Sequence, residues 1–198
     1  MTTYAIIGSG AIGSALAERF HAASVDAVIA NTRGAASLQS ITDKFGSTVK
    51  AVDLDQAIQS DVLILAVPYD AVPEVARRKA VWDGRTIVDA TNAIDFPAFK
   101  PRDLGGPLSS EIVAQLFPGS ELVKAFNTLP AAVLAADPVK PSGKRVLFLS
   151  GNFPEARKKV ADLISRLGFA PVDLGSFKAT GSLQHFGQPL VALNLLKD

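Results

Sequence analysis

The order of apolar segments predicts an α/β fold, a doubly wound and mainly parallel sheet with helices on both faces and a small α/β appendage at the carboxyl end. Three observations carry this. Short apolar runs alternate with helical patterns along nearly the whole chain. Val62-Leu63-Ile64-Leu65-Ala66-Val67 is apolar at every position, as expected of a central strand covered on both faces. Tyr4-Ala5-Ile6-Ile7 runs straight into Gly8-Ser9-Gly10-Ala11-Ile12-Gly13 and then into a helix-like stretch, the order strand, glycine turn, helix.

The pattern predicts strands over Tyr4–Gly8, Ala27–Ala30, Thr48–Val52, Val62–Val67, Thr86–Ala90, Leu122–Phe126, Arg145–Ser150 and Ala170–Leu174. It predicts helices over Ala11–Ala22, Ala35–Phe45, Leu54–Gln59, Ala71–Ala80, Ser110–Leu116, Pro154–Leu167 and Ser182–Leu196. Asp53 suits an N-cap before Leu54, Pro68 stops a strand, and Pro154 sits in a first helical turn with Asn152 as its cap. Gly168 follows Leu167 as a helix stop. Asp95 to Ser109, rich in proline and glycine, reads as a long loop over the site or at a subunit contact.

Hydrophobic residues make up 48% and charged residues 20%, a composition that buries a core. A net charge of +1 supplies no field for nucleic acid or anionic lipid. No cysteine is present, which excludes disulfides, thiol catalysis and zinc-thiolate sites, and two histidines make a metal site unexpected. The amino end lacks a signal-peptide pattern, and no run approaches the ~20 apolar residues of a membrane span, so a cytoplasmic protein is expected.

Each glycine of the turn has a mechanical reason. Gly8 permits the tight turn, Gly10 leaves room for a pyrophosphate at the backbone, and Gly13 lets the helix approach the sheet. The amides near Ser9, Ala11 and Ile12 would face the phosphates at a positive helix end. The second strand ends in Asn31-Thr32-Arg33, where a dinucleotide's adenosine ribose lies. An acid is usual there for NAD. A hydroxyl and a guanidinium instead suit a 2′-phosphate, so NADP(H) is expected, with Arg33 read otherwise as an ordinary exposed arginine.

Ligands in such sheets lie beyond the carboxyl ends of the strands. Ala66-Val67-Pro68-Tyr69 would line the cofactor's path, and Asn92 and the Ala93 amide would approach the nicotinamide, unless these residues only cap helices and hold loops. Asp89 reads as a carboxylate closing a turn. Asn127 and Thr128, after Lys124-Ala125-Phe126, would position a carboxamide or a substrate carbonyl, and Lys124 reads as a solvated strand end. His185 is a candidate site residue or a polar residue at a contact. His21 suits the negative end of the first helix. Arg77-Arg78-Lys79 and Arg157-Lys158-Lys159 read as solvated helix faces, and Trp82 as packing.

These residues together resemble the NADPH-dependent reductases of the deazaflavin coenzyme F-420 and the wider group sharing that domain, including the cytosolic domain of the STEAP metalloreductases. The resemblance rests on the glycine turn, Ala66-Val67-Pro68, Val88-Asp89-Ala90-Thr91-Asn92, Ser110-Glu111-Ile112-Val113, Val123 through Ala131, and Gly168 through Gly175. It implies a Rossmann NADP-binding domain over 1–126 with a small α/β subdomain over 127–198, a homodimer, and a nicotinamide near Asn127 to Ala131. It also implies a flat redox partner, a flavin or deazaflavin, stacked beside that ring. The deazaflavin reductases tend to carry a histidine where this chain has Asn127.

Hydride transfer between two rings needs little acid–base chemistry, so the lack of a catalytic triad or a Tyr-x-x-x-Lys pair is compatible with it. The expected activity is NADPH-dependent reduction of a small acceptor, with Asn127 and His185 as the only catalytic candidates. Two alternatives stay open: a non-catalytic NADP(H)-binding redox sensor, and a reductase of a small imine or carbonyl metabolite.

Overall fold

A computed structural model describes residues 2–198. In chain order the elements are β1 (Tyr4–Ile7), α1 (Ala11–Ala22), β2 (Ala27–Ala30), α2 (Gln39–Phe45), β3 (Val49–Ala51), α3 (Leu54–Ala57), β4 (Val62–Leu65), α4 (Val72–Ala76) and β5 (Thr86–Asp89). A short hairpin of β6 (Ile94–Asp95) and β7 (Lys100–Pro101) follows, then α5 (Ser109–Leu116), β8 (Glu121–Ala125), α6 (Ala131–Ala135) and β9 (Val139–Lys140). The chain ends with β10 (Gly143–Gly151), α7 (Pro154–Arg166), β11 (Ala170–Asp173) and β12 (Leu196–Lys197).

The main sheet runs β11-β10-β8-β5-β4-β1-β2-β3. Every pair along it is parallel except β10 with β8, which is antiparallel. The strand order reverses at β1, with β2 on one side and β4 on the other, the place where such sheets open a crevice. Strand alternation explains why the centre is apolar throughout. Tyr4 and Ile6 of β1, with Val62 and Ile64 of β4, join the core under α1 and α7. Ala5, Ile7, Leu63 and Leu65 point the other way, into the core with Val72, Val113 and Phe117. Trp82 is fully buried edge-on to Phe117 at 5.0 Å, a packing residue as expected.

Several local expectations are corrected. Ser182–Leu196 is not a helix: a 3-10 turn at Gly181–Gln184 is followed by irregular chain that returns to pair β12 with β10. Gly187 (φ 85°), Pro189 and Ala192 (φ 64°) interrupt any helical run there. The segment from Ala35 begins as a 3-10 turn before α2, and the helix from Ala71 ends at Ala76. Alpha-helix α6, launched by Pro130, was not anticipated. Phe153 rather than Asn152 stands at the start of α7, and Asn152 Oδ1 accepts from the Phe177 N–H at 3.2 Å. His21 does lie in the last turn of α1, and its ring packs against Phe45 with centroids 5.4 Å apart. Arg157 is no free surface cation, since it pairs with Asp173 at 2.9 Å and donates to the Gly151 carbonyl at 2.6 Å.

Candidate functional site

The glycine turn follows from the spacing between β1 and β4. Gly8 has φ 113°, and a Cβ there would overlap the Ala66 carbonyl oxygen. A Cβ on Gly13 would overlap the Gly8 carbonyl, so the first turn of α1 lies directly on the loop. Gly10 differs: its φ is −73°, open to any residue, and a Cβ would meet nothing within 4 Å. Nothing within the chain requires a glycine at that point. The missing side chain leaves open space at the start of α1.

Next to it, a cavity of about 300 Å³ is lined by the turn from Gly8 to Gly10, by Asn31 to Arg33 and by Ala66 to Pro68. Asn31 organises this wall. Its Nδ2 donates to Ser9 Oγ at 2.9 Å and Ser37 Oγ at 3.0 Å, and its Oδ1 accepts from the Arg33 N–H at 2.9 Å. Asn31 is thereby tied to the protein, while Thr32 and Arg33 are exposed at the tip, the Arg33 guanidinium 3.3 Å from Ser9 Oγ. A larger groove of about 430 Å³ lies by Thr3, Asp26 and Lys50 at the beginnings of the strands, away from the ends where ligands sit.

At the ends of β5 and β8, Asn92 and Asn127 come together. Asn92 Nδ2 donates to the Asn127 carbonyl at 2.9 Å, and Asn127 Nδ2 donates to Asn92 Oδ1 at 3.0 Å and to the Gln184 carbonyl at 2.6 Å. Both amide protons of Asn127 are thus engaged. Gln184, fully buried, adds a bond from Nε2 to the Lys124 carbonyl at 3.0 Å. Ala131 opens α6 and shares a cavity wall with Ala11. Tyr69 is not in the wall of the cavity at the glycine turn and has the Arg102 guanidinium 5.7 Å from its ring; burial and then Asp89 push its hydroxyl above the usual range. Ala93 lines a different cavity, on the side of His185.

Lys124 is not a solvated strand end. It is fully buried, its Nζ 2.9 Å from Asp89 Oδ2 and 3.0 Å from the Thr91 carbonyl. Asp89 also accepts from the Thr91 N–H at 2.9 Å and the Thr91 hydroxyl at 2.6 Å, so it closes the turn as expected and neutralises the lysine as well. The pair was missed although its signal was present: Asp89 ends β5, Lys124 stands one residue before the end of β8, and the parallel register sets them opposite one another.

His185 joins a group that sequence reasoning did not assemble. Its Nδ1 lies 3.1 Å from Ser109 Oγ and its Nε2 3.1 Å from Ser110 Oγ, at the first turn of α5. Burial, then the Lys124 charge, pull its pKa down to about 4, against smaller opposing effects of Asp89 and Glu111. The ring is neutral at pH 7. Among the described residues, no group of three or more His, Cys, Asp or Glu side chains is arranged to hold a metal, and no helix is long and apolar enough to cross a membrane.

Residues 3–93 match the model of a family described as NADP oxidoreductase, coenzyme F420-dependent. Over its whole length the chain is 68% identical to the hypothetical protein SMa0349 of Sinorhizobium meliloti, covering 97% of that chain with a TM-score of 0.98. It is 28% identical to the metalloreductase STEAP3 of Rattus norvegicus across 90% of this chain, and it spans 35% of that protein's length. A reductive aminase from Aspergillus terreus, solved with NADPH and ethyl levulinate, shares the fold at 20% identity and a TM-score of 0.67, over 92% of this chain and 58% of the aminase.

Proposed function

Because residues 3–93 match the model of the family described as NADP oxidoreductase, coenzyme F420-dependent, we propose that this chain is an NADP-dependent oxidoreductase that transfers hydride between NADP(H) and a small flavin-like or deazaflavin acceptor. The family and its fold neighbours are NADP-dependent oxidoreductases. The observation that carries the reading is Gly10: a glycine in an ordinary conformation with open space where its side chain would be, next to an exposed Arg33.

The residues fit a dinucleotide phosphate. The turn from Gly8 to Gly13 would hold the pyrophosphate on backbone amides at the start of α1, and Thr32 and Arg33 would hold the 2′-phosphate. Val67 and Pro68 would carry the chain of the ligand past β4, and Asn92, Ala93, Asn127 and Ala131 would surround the nicotinamide. Asn31 would act through Ser9 and Arg33, which it fixes. A bound reduced nicotinamide supplies the hydride. The protein sets distance and face and keeps water out, and Asn127, both its protons committed, holds the strand ends rather than moving protons. A homodimer belongs to the same proposal, supported by the resemblance alone, as does a cytoplasmic location, supported by the sequence pattern alone.

The test is a panel of acceptors (deazaflavin, FMN, ferric chelates, quinones), with NADPH consumption followed by loss of nicotinamide absorbance. Turnover of a ring acceptor is the expected result. Tight NADPH binding with no turnover would favour the sensor, and no binding of either dinucleotide would overturn the proposal.

A further inference from the structure

A second cavity, of about 250 Å³, lies between the loop after Ala93, the start of α5 and the segment around His185. Ala93, Arg102, Ser109, Ser182, His185 and Phe186 are in its wall. Ala93 directly follows Asn92, so the cavity adjoins the Asn92–Asn127 pair at the ends of β5 and β8.

His185 stands between two hydroxyls, Ser109 on Nδ1 and Ser110 on Nε2. A neutral imidazole has one N–H and one bare nitrogen, so one serine accepts and the other donates. The serine that accepts keeps its own proton for another partner. Ser110 is fully buried, is not in the cavity wall, and makes no other side-chain hydrogen bond among the described residues. If it accepted, its proton would be orphaned in the interior, which is disfavoured. The arrangement that satisfies every group puts the ring proton on Nδ1, has Ser110 donate to Nε2, and leaves the Ser109 proton free at the cavity wall.

We propose that Ser109 is the substrate-facing donor of this cavity, its hydroxyl hydrogen-bonding the carbonyl oxygen, imine nitrogen or ring nitrogen of the acceptor, with His185 as the positioning residue that aims that proton. This rests on the reading that the chain delivers hydride to a small acceptor. In that reaction the acceptor gains the hydrogen and electron pair of the broken nicotinamide C4–H bond at its electron-poor atom. Its π electrons move onto the heteroatom, where the Ser109 hydroxyl steadies the charge. A proton from water completes the reduction, and the serine is unchanged. The cations Lys124 and Arg102 and the carboxylates Asp89, Glu111 and Asp103 are the charged groups around the ring; the neutral imidazole serves as a fixed donor–acceptor pair and not as an acid.

The chain has only two histidines, so nitrogen NMR of the imidazoles reads the tautomer directly once His21→Gln removes the other signal. The expected result is a protonated Nδ1 on His185. Acetamide, as a carbonyl probe, should shift the His185 resonances of the NADP⁺-saturated protein and of Ser109→Thr, but not of Ser109→Ala. With whichever acceptor the protein reduces, Ser109→Ala should lower kcat by about 100-fold, with NADPH affinity within about twofold, and Ser109→Thr should restore most of it. A ring proton on Nε2, or a Ser109→Ala variant that keeps the acetamide response or its kcat, would overturn the assignment. If no acceptor is reduced, the functional reading fails by itself, and the tautomer and the acetamide titration still decide the role of Ser109.

Discussion

Asn92 and Asn127 hold each other across the ends of β5 and β8, each donating one hydrogen bond to the other at 2.9 and 3.0 Å. The loop after β5 is thereby fixed to the loop after β8, one residue before Ala93 enters the wall of the His185 cavity. Replacing Asn127 by Leu would strip donors from Asn92 Oδ1 and the Gln184 carbonyl in a buried setting. A loss of about 2–3 kcal/mol is expected in urea unfolding, with kcat falling more than NADPH affinity. A change below about 0.5 kcal/mol would show that the pair is incidental.

Gly13 and Gly10 of the turn should separate cleanly. Gly13→Ala drives a Cβ into the Gly8 backbone and should leave little folded protein, whereas Gly10→Val places its Cβ in open space and should stay folded, with only the small loss of a poorer helix cap. Gly10→Val should nevertheless lose NADPH affinity by at least about tenfold in calorimetry, because its side chain fills the space assigned to the pyrophosphate. Undiminished NADPH affinity would move the phosphates elsewhere.

Arg33→Ala should weaken NADPH by about 10- to 100-fold and leave NADH nearly unchanged, the size of one or two charge-assisted hydrogen bonds. Equal losses for both dinucleotides would refute the 2′-phosphate contact.

Lys124→Met should cost about 3–5 kcal/mol, since it leaves Asp89 charged and unpaired in the core. The double variant Asp89→Asn/Lys124→Met should recover part of that, because asparagine keeps an acceptor for Thr91. Denaturant curves for the three proteins test this; a double variant no better than the single one would make the lysine's bond to the Thr91 carbonyl, not the charge, the cause.

The folded-state pKa of His185, about 4, lies below the unfolded value of about 6.5. The unfolded chain therefore takes up the proton first as pH falls. The contribution of this group to stability is whole above about pH 6.5 and is lost progressively towards pH 4. Discounted for solvent screening, the difference is about 1–2 kcal/mol. Unfolding of the parent and of His185→Gln at pH 7 and pH 4.5 measures it; parallel losses in both would assign the acid sensitivity to other groups.

The sheet was legible because its signals are local. Apolar runs such as Val62–Leu65 and the glycines before α1 fix strand, turn and helix without reference to distant chain. The end after Ser182 was not legible. Its leucines suggest a helix, but Gly187 and Pro189 break it and the last residues pair with β10, a contact between segments about 50 positions apart. A still longer separation, 75 and 76 positions, hid the Ser109–His185–Ser110 group, since each residue alone reads as a cap or an exposed polar side chain. Lys124 was misread for a related reason: its partner Asp89 is visible only once the parallel register is known.

Strand β10 lies against β8, and Gln184 reaches back to the Lys124 carbonyl. A fragment stopped at residue 126 would therefore bare the flank of β8 from Val123 to Ala125, an unprotected row of amides and carbonyls. Such a fragment would stick to copies of itself. During synthesis, the first two thirds of the chain have to wait for the last third before that edge is sealed.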